Sequence, residues 1–156
     1  MTAHPEVPTM NEEQHMATVV VGVDGSDGAQ DALRFAVEEA RLRGAVVRAV
    51  MTWDLETLAY TAGAWGPMVD PTGVEESTRA ALDAAVDKAE ADGAATIERV
   101  VANGPPARVL VEQARGADML VVGSRGHGGF AGLLLGSVGQ QCAQHAPCPV
   151  TIVHNR

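Results

Sequence analysis

Within VVGSRGHGGFAGLLLGSVGQ, residues 121–140, seven glycines separate a strand-like run from what reads as a helix start. Glycine weakens a fold entropically, so such density implies a backbone that must pass very close to something. The chemistry on offer is anion binding. Gly123, Gly126, Gly128 and Gly129 would let successive N–H groups turn inward as a nest. Gly136 and Ser137 stand at the mouth of a helix whose first N–H groups and positive dipole end attract negative charge. Ser137 either caps that helix or donates to the anion. Asp24, in VDGSDG (23–28), is the complementary group. A carboxylate ending a strand can accept two ribose hydroxyls, while Asp24, Ser26 and Asp27 together also suit a helix-capping turn.

Other chemistries lack their residues. Lys88 is the only lysine and lies far from the glycine run, so no Walker A loop is present. The run follows the fourth strand and has no acidic partner about twenty residues on, which excludes a dinucleotide fingerprint. None of Ser26, Ser124 and Ser137 sits in G-x-S-x-G. Ser124 and His127, three residues apart in a loop, do not make a hydrolase dyad. The five histidines, His4, His15, His127, His145 and His154, show no metal-ligand spacing. Phosphate charge would therefore be met by backbone N–H groups, Arg125, His127 and a divalent ion.

The elements that must position these groups alternate. ATVVVGV (17–23) is a continuous β-branched run, as in a strand buried on both faces. Ala29, Ala32, Leu33, Ala36, Val37 and Ala40 then recur at helical spacing. A second strand follows at 45–53, a helix at about 74–91, a near-edge strand at 95–102, and a short helix, ARVLVEQA, after Pro105 and Pro106. DMLVVGS (118–124) is another buried strand, 137–146 a last helix and PVTIV (149–153) a last strand. Gly44, Gly93 and Gly116, each followed by alanine, read as left-handed helix ends. Residues 54–73 read as a long connection in which Tyr60 and Trp65 either cover the site or pack elsewhere.

This order specifies one α/β unit: a doubly wound open sheet of five parallel strands with right-handed crossovers and helices on both faces. Ligands of such sheets bind beyond the strand ends where the order reverses. If strand four returns beside strand one, the loop at 23–28 and the glycine run meet there. Residues 1–16 read as a loose tail without the basic and apolar regions of a signal peptide, and 17–156 as the single domain. Cys142 and Cys148 make no disulfide framework and suit a reduced cytoplasm. A formal net charge of −9 argues against a nucleic-acid surface. No run of about eighteen apolar residues offers a membrane span.

The spacing G-x2-G-x9-G-[ST], formed by Gly123, Gly126, Gly136 and Ser137, resembles the universal stress protein family. VVVGVDGS at the front and APCPVTIV at the end strengthen the likeness, which covers residues 17–154. The resemblance implies a sheet ordered 3-2-1-4-5, as in adenine-nucleotide alpha-hydrolase-like folds, and an ATP site. By position, Val23, Asp24 and Thr52 would hold adenine and ribose. Residues from Gly123 through Ser124, Arg125, Gly126, His127 and Gly128 to Gly129 would wrap the phosphates. Gly136, Ser137, Val138 and Gly139 would take the outer phosphates. Thr52 is less apolar than a wall against adenine calls for. The expectation is a cytoplasmic stress-response sensor or signalling module binding ATP with Mg2+. Any hydrolysis should be slow, because no carboxylate or histidine is placed to activate water. An AMP or cyclic AMP module is the alternative. An adenylating enzyme is a third reading, but VDGSDG matches poorly the S-G-G-x-D-S such an enzyme needs. The resemblance also puts the last strand at a sheet edge, where it would pair with a second copy to form a homodimer.

Overall fold

The structure is a computed structural model that describes residues 16–63, 70–91, 95–126 and 135–155. Residues 1–15 of the tail expected at 1–16, together with Trp65, Gly93, His127, Gly128 and Gly129, lie outside the described residues.

Strand β1 (Thr18–Gly22) leads into helix α1 (Asp27–Arg43), β2 (Val46–Trp53), α2 (Leu55–Ala62) and α3 (Pro71–Glu90). Then come β3 (Ile97–Asn103), α4 (Pro106–Gln113), β4 (Met119–Gly123), α5 (Ser137–His145) and β5 (Val150–Val153). The sheet is all parallel, in the order β3-β2-β1-β4-β5. Its β-branched strands are continuous runs because both faces are covered. Val19, Val21, Val47 and Val121 face Leu33 and Ala36 of α1 and Leu82 and Val86 of α3. Val20, Val50, Leu120 and Val122 face Val109 and Leu110 of α4 and Cys142 of α5. Period-two alternation thus splits each strand between two cores.

Helix ends follow capping chemistry. Ser26 caps α1, and Gly44 closes it in the left-handed conformation at φ 63°. Gly116, with φ 75°, has the same handedness after α4. The connection expected at 54–73 is not irregular throughout. Asp54 accepts from the Glu56 N–H at 3.0 Å and caps α2. Asp70 accepts from Thr72 and Gly73 at 3.1 and 3.2 Å, so α3 starts at Pro71 rather than near 74. Proline suits that first position, where its missing N–H costs nothing.

Candidate functional site

Chain direction makes the crevice. From β1 the chain winds outward to β2 and β3, then returns to lay β4 on the other side of β1. The segments leaving β1 and β4 therefore depart to opposite faces and leave an opening between them. A cleft of about 770 Å³ lies there, within the usual range for small-molecule sites. Its walls include Val23 and Asp24 after β1, Thr52 of β2, and Gly123, Ser124, Arg125 and Gly126 at the exit of β4. Gly136, Ser137, Val138 and Gly139 at the start of α5 complete that side. All the expected site residues that are described thus meet in one place. Tyr60 is 89% exposed on α2 and does not line the cleft.

Asp24 is held by the turn it belongs to. Its Oδ1 accepts from the Ser26 N–H at 2.9 Å and from the Ser26 hydroxyl at 2.5 Å. Ser26 Oγ accepts in turn from the Ala29 N–H at 3.2 Å as the cap of α1. The capping turn and a carboxylate aimed at the cleft are therefore the same structure. Gly25 makes the turn possible with φ 82°, a conformation that side chains disfavour. The Val23 N–H donates to the Val50 carbonyl at 2.8 Å, tying the exit of β1 to β2.

The glycines are there for close approach rather than for left-handed turns. None of Gly123, Gly126, Gly136 and Gly139 has positive φ. The left-handed turn that an N–H nest needs is therefore absent at Gly123 and Gly126, which corrects that expectation for these two residues. A Cβ on Gly126 would collide with Asp24 Oδ2, so the bare backbone gives room to the carboxylate. A Cβ on Gly123 would lie 3.0 Å from the Gly28 backbone, and one on Gly28 would lie 2.9 Å from the Arg125 carbonyl. The first turn of α1 is thereby pressed directly on the exit of β4.

The mouth of α5 also differs from the simplest expectation. Gly136 is the cap, with extended backbone at φ −72° and ψ 168°, and Ser137 is the first helical residue. The Gly136 N–H donates to the Ser124 carbonyl at 2.8 Å, so it is already used. The helical ladder begins with Gln140 N–H donating to the Gly136 carbonyl at 3.0 Å. The N–H groups of Ser137, Val138 and Gly139 precede it and point out of the positive end of the helix. Gly136 has no side chain with which to cap this end. Asp24 and Arg125 are the charged side chains among the described lining residues. No cluster of His, Cys, Asp or Glu among the described residues could hold a metal ion.

Two walls escaped sequence reasoning. Ser77, Thr78 and Ala81 of α3 line the cleft, as do Pro106 and Leu110 of α4. Ser77, Thr78, Ala81 and Leu110 lie on helices that apolar spacing marks, but that these helices border the cleft follows from their packing on the sheet, not from a local signal.

The universal stress protein family model matches residues 16–154. A universal stress protein of Mycobacterium tuberculosis is 35% identical over 150 residues, covering 96% of this chain and 48% of its own. The chain thus spans about half the length of the curated relatives it matches. A solved universal stress protein in complex with cAMP has TM-score 0.66 and 34% identity, covering 90% of this chain and 98% of that one. The universal stress protein of Archaeoglobus fulgidus in complex with dAMP has TM-score 0.64 and 29% identity, covering 88% and 97%. With the family model spanning every strand of the sheet, this chain belongs to the universal stress protein family.

Proposed function

We propose that this chain binds ATP with Mg2+ in the switch-point cleft and acts in the cytoplasm as a nucleotide-dependent stress-response sensor or signalling module. The observation that carries the reading is the mouth of α5. Three N–H groups ahead of the helical ladder open on a cleft whose other side bears an oriented carboxylate. Hydrogen-bond donors at a helix start suit phosphate, and a braced acceptor suits ribose hydroxyls. Val23 and Thr52 would border the nucleoside. Gly123, Ser124, Arg125 and Gly126, with His127, Gly128 and Gly129, would surround the inner phosphates. Ser137, Val138 and Gly139 would take the outer ones, with Gly136 supplying approach rather than its N–H. Mg2+ would be carried by the phosphates and would neutralise their charge. Asp24 is the only carboxylate among the described lining residues, and its bond to the Ser26 N–H suits an acceptor better than a base activating water. Hydrolysis is accordingly slow at most.

A second reading is supported by the solved relatives, one holding cAMP and one dAMP. It makes the chain a monophosphate module. Calorimetry with ATP, AMP and cyclic AMP, with and without Mg2+, separates the two. Each hydrogen bond to a charged group is worth about 1.5–3 kcal/mol, so two extra ones favour ATP over AMP by about a hundredfold or more. Tighter binding of cyclic AMP or AMP than of ATP favours the monophosphate module.

A further inference from the structure

The turn of α3 carrying Ser77 and Thr78 borders the cleft, and nothing in the phosphate and ribose assignments uses it. Sheet order says which end of the ligand it meets. Helix α3 packs on β2 and β3, whereas the mouth of α5 lies beyond β4. β1 stands between β2 and β4. At about 4.8 Å per strand, the two ends are separated by roughly 10 Å, the reach of a nucleoside.

The ends differ in chemistry. Asp24 and Arg125 both sit on the β1–β4 side. At the β2–α3 end the polar side chains among the described lining residues are the hydroxyls of Thr52, Ser77 and Thr78, which suits a neutral base. Ser77 Oγ donates to the Val74 carbonyl at 2.9 Å, and Thr78 Oγ1 donates to the same carbonyl at 2.8 Å. A hydroxyl has one proton, so each retains only lone pairs for a ligand. The Ser77–Thr78 face of that end therefore welcomes an N–H and repels a carbonyl oxygen.

We propose that Ser77 and Thr78 select the base, accepting from the exocyclic amine of a 6-aminopurine and rejecting the 6-oxo group of hypoxanthine or guanine. Adenine carries a donor where guanine carries an acceptor, which is the difference such a wall can sense. Releasing a hydroxyl to donate instead would forfeit its bond to Val74, so the discrimination is built into the helix. This inference rests on the nucleotide reading above.

Its test compares ATP with inosine triphosphate, which shares the sugar and phosphates and has a carbonyl oxygen in place of the amine at C6, with a hydrogen on the adjacent N1. Wild type should bind ATP about tenfold more tightly, the value of one well-made hydrogen bond. The Ser77→Ala/Thr78→Val double variant should lose most of that preference, binding ATP more weakly and inosine triphosphate at least as tightly as wild type, which also reports an intact fold. Thr78→Ser should retain the preference. Equal binding of the two nucleotides by wild type overturns the base selection alone. So does a double variant, or Thr78→Val by itself, that discriminates as well as wild type. Failure of wild type to bind either nucleotide overturns the nucleotide reading with it.

Discussion

At Gly126 one added methyl group would meet the carboxylate of Asp24, and at Gly136 it would make ordinary contacts with the Ser124 carbonyl at 3.7 Å and the Arg125 Cα at 3.8 Å. The two glycines of one motif therefore have different tolerances. Gly126→Ala should push Asp24 off Ser26 and weaken ATP binding by about tenfold or more, with a loss of about 1 kcal/mol in stability for the broken hydrogen bond, Ser26 keeping its cap on α1. Gly136→Ala should still fold, losing about 1 kcal/mol at most, because φ −72° suits any residue although alanine caps a helix less well than glycine. Titration and chemical denaturation of both variants check this, and equal ATP affinity in Gly126→Ala counts against the Asp24 contact. A buried thiol supplies an independent test of packing. Burial pushes Cys142 up from 9.0 to about 11. Between these values the unfolded thiol ionises while the folded one stays protonated, so its contribution is complete below pH 9 and is lost as pH rises to 11. Stability should fall there by up to about 1.4 kcal/mol per pH unit. Urea unfolding across that range should show a shallower fall in Cys142→Ala. Part of the slope remains there, because burial and then the Asp118 charge raise Cys148 too. Residue types made Asp24 and Ser137 legible as candidates. The packing of Gly123 on Gly28 was not, because it joins two segments far apart in the chain.

Helix α5 offers a substitution that removes a donor and spares the element. Proline is accepted at the first position of a helix, where no intrahelical N–H bond is lost. Gly136 before it has ψ 168°, the extended conformation proline requires of its predecessor. Ser137→Pro should therefore preserve α5 while deleting one N–H and one hydroxyl at its mouth. ATP affinity should drop by about tenfold to a hundredfold, and AMP affinity by less. Circular dichroism and titration measure the two effects separately, and a folded variant with unchanged ATP affinity would remove α5 from the phosphate site. Strands and the four helices with clear apolar spacing were legible because period two and period 3.6 are strong local signals. Helix α2 was not. Leu55 and Leu58 are too few to establish a period in so short a segment, and its decisive feature is the Asp54 side chain turning back onto the Glu56 N–H. The same device at Asp70 starts α3 one turn earlier than its apolar spacing alone suggests.

The whole molecule closes both faces of its sheet but leaves β5 at an edge, with all four residues partly exposed. The Pro149 and Val153 carbonyls accept from Leu120 and Ser124 of the neighbouring segment at 2.9 and 2.8 Å. Parallel pairing uses alternate residues, so the backbone groups of Val150 and Ile152 face outward. An unpaired apolar edge is a template for a second strand. The chain should form a homodimer through antiparallel β5 strands, and Ile152→Pro should yield a folded monomer. Sedimentation at tens of micromolar checks both, and a monomeric wild type would refute the pairing. The outline of the sheet was legible from alternation and family resemblance together. The shape of the cleft was not, since its described walls come from seven elements that meet only in three dimensions. The most direct measurement offers the protein an equimolar mixture of ATP, AMP and cyclic AMP with Mg2+, removes unbound ligand by rapid gel filtration, and identifies what the denatured protein releases by mass. ATP should dominate in wild type and be lost in Ser137→Pro. Release chiefly of AMP or cyclic AMP, or of no nucleotide, would contradict the account.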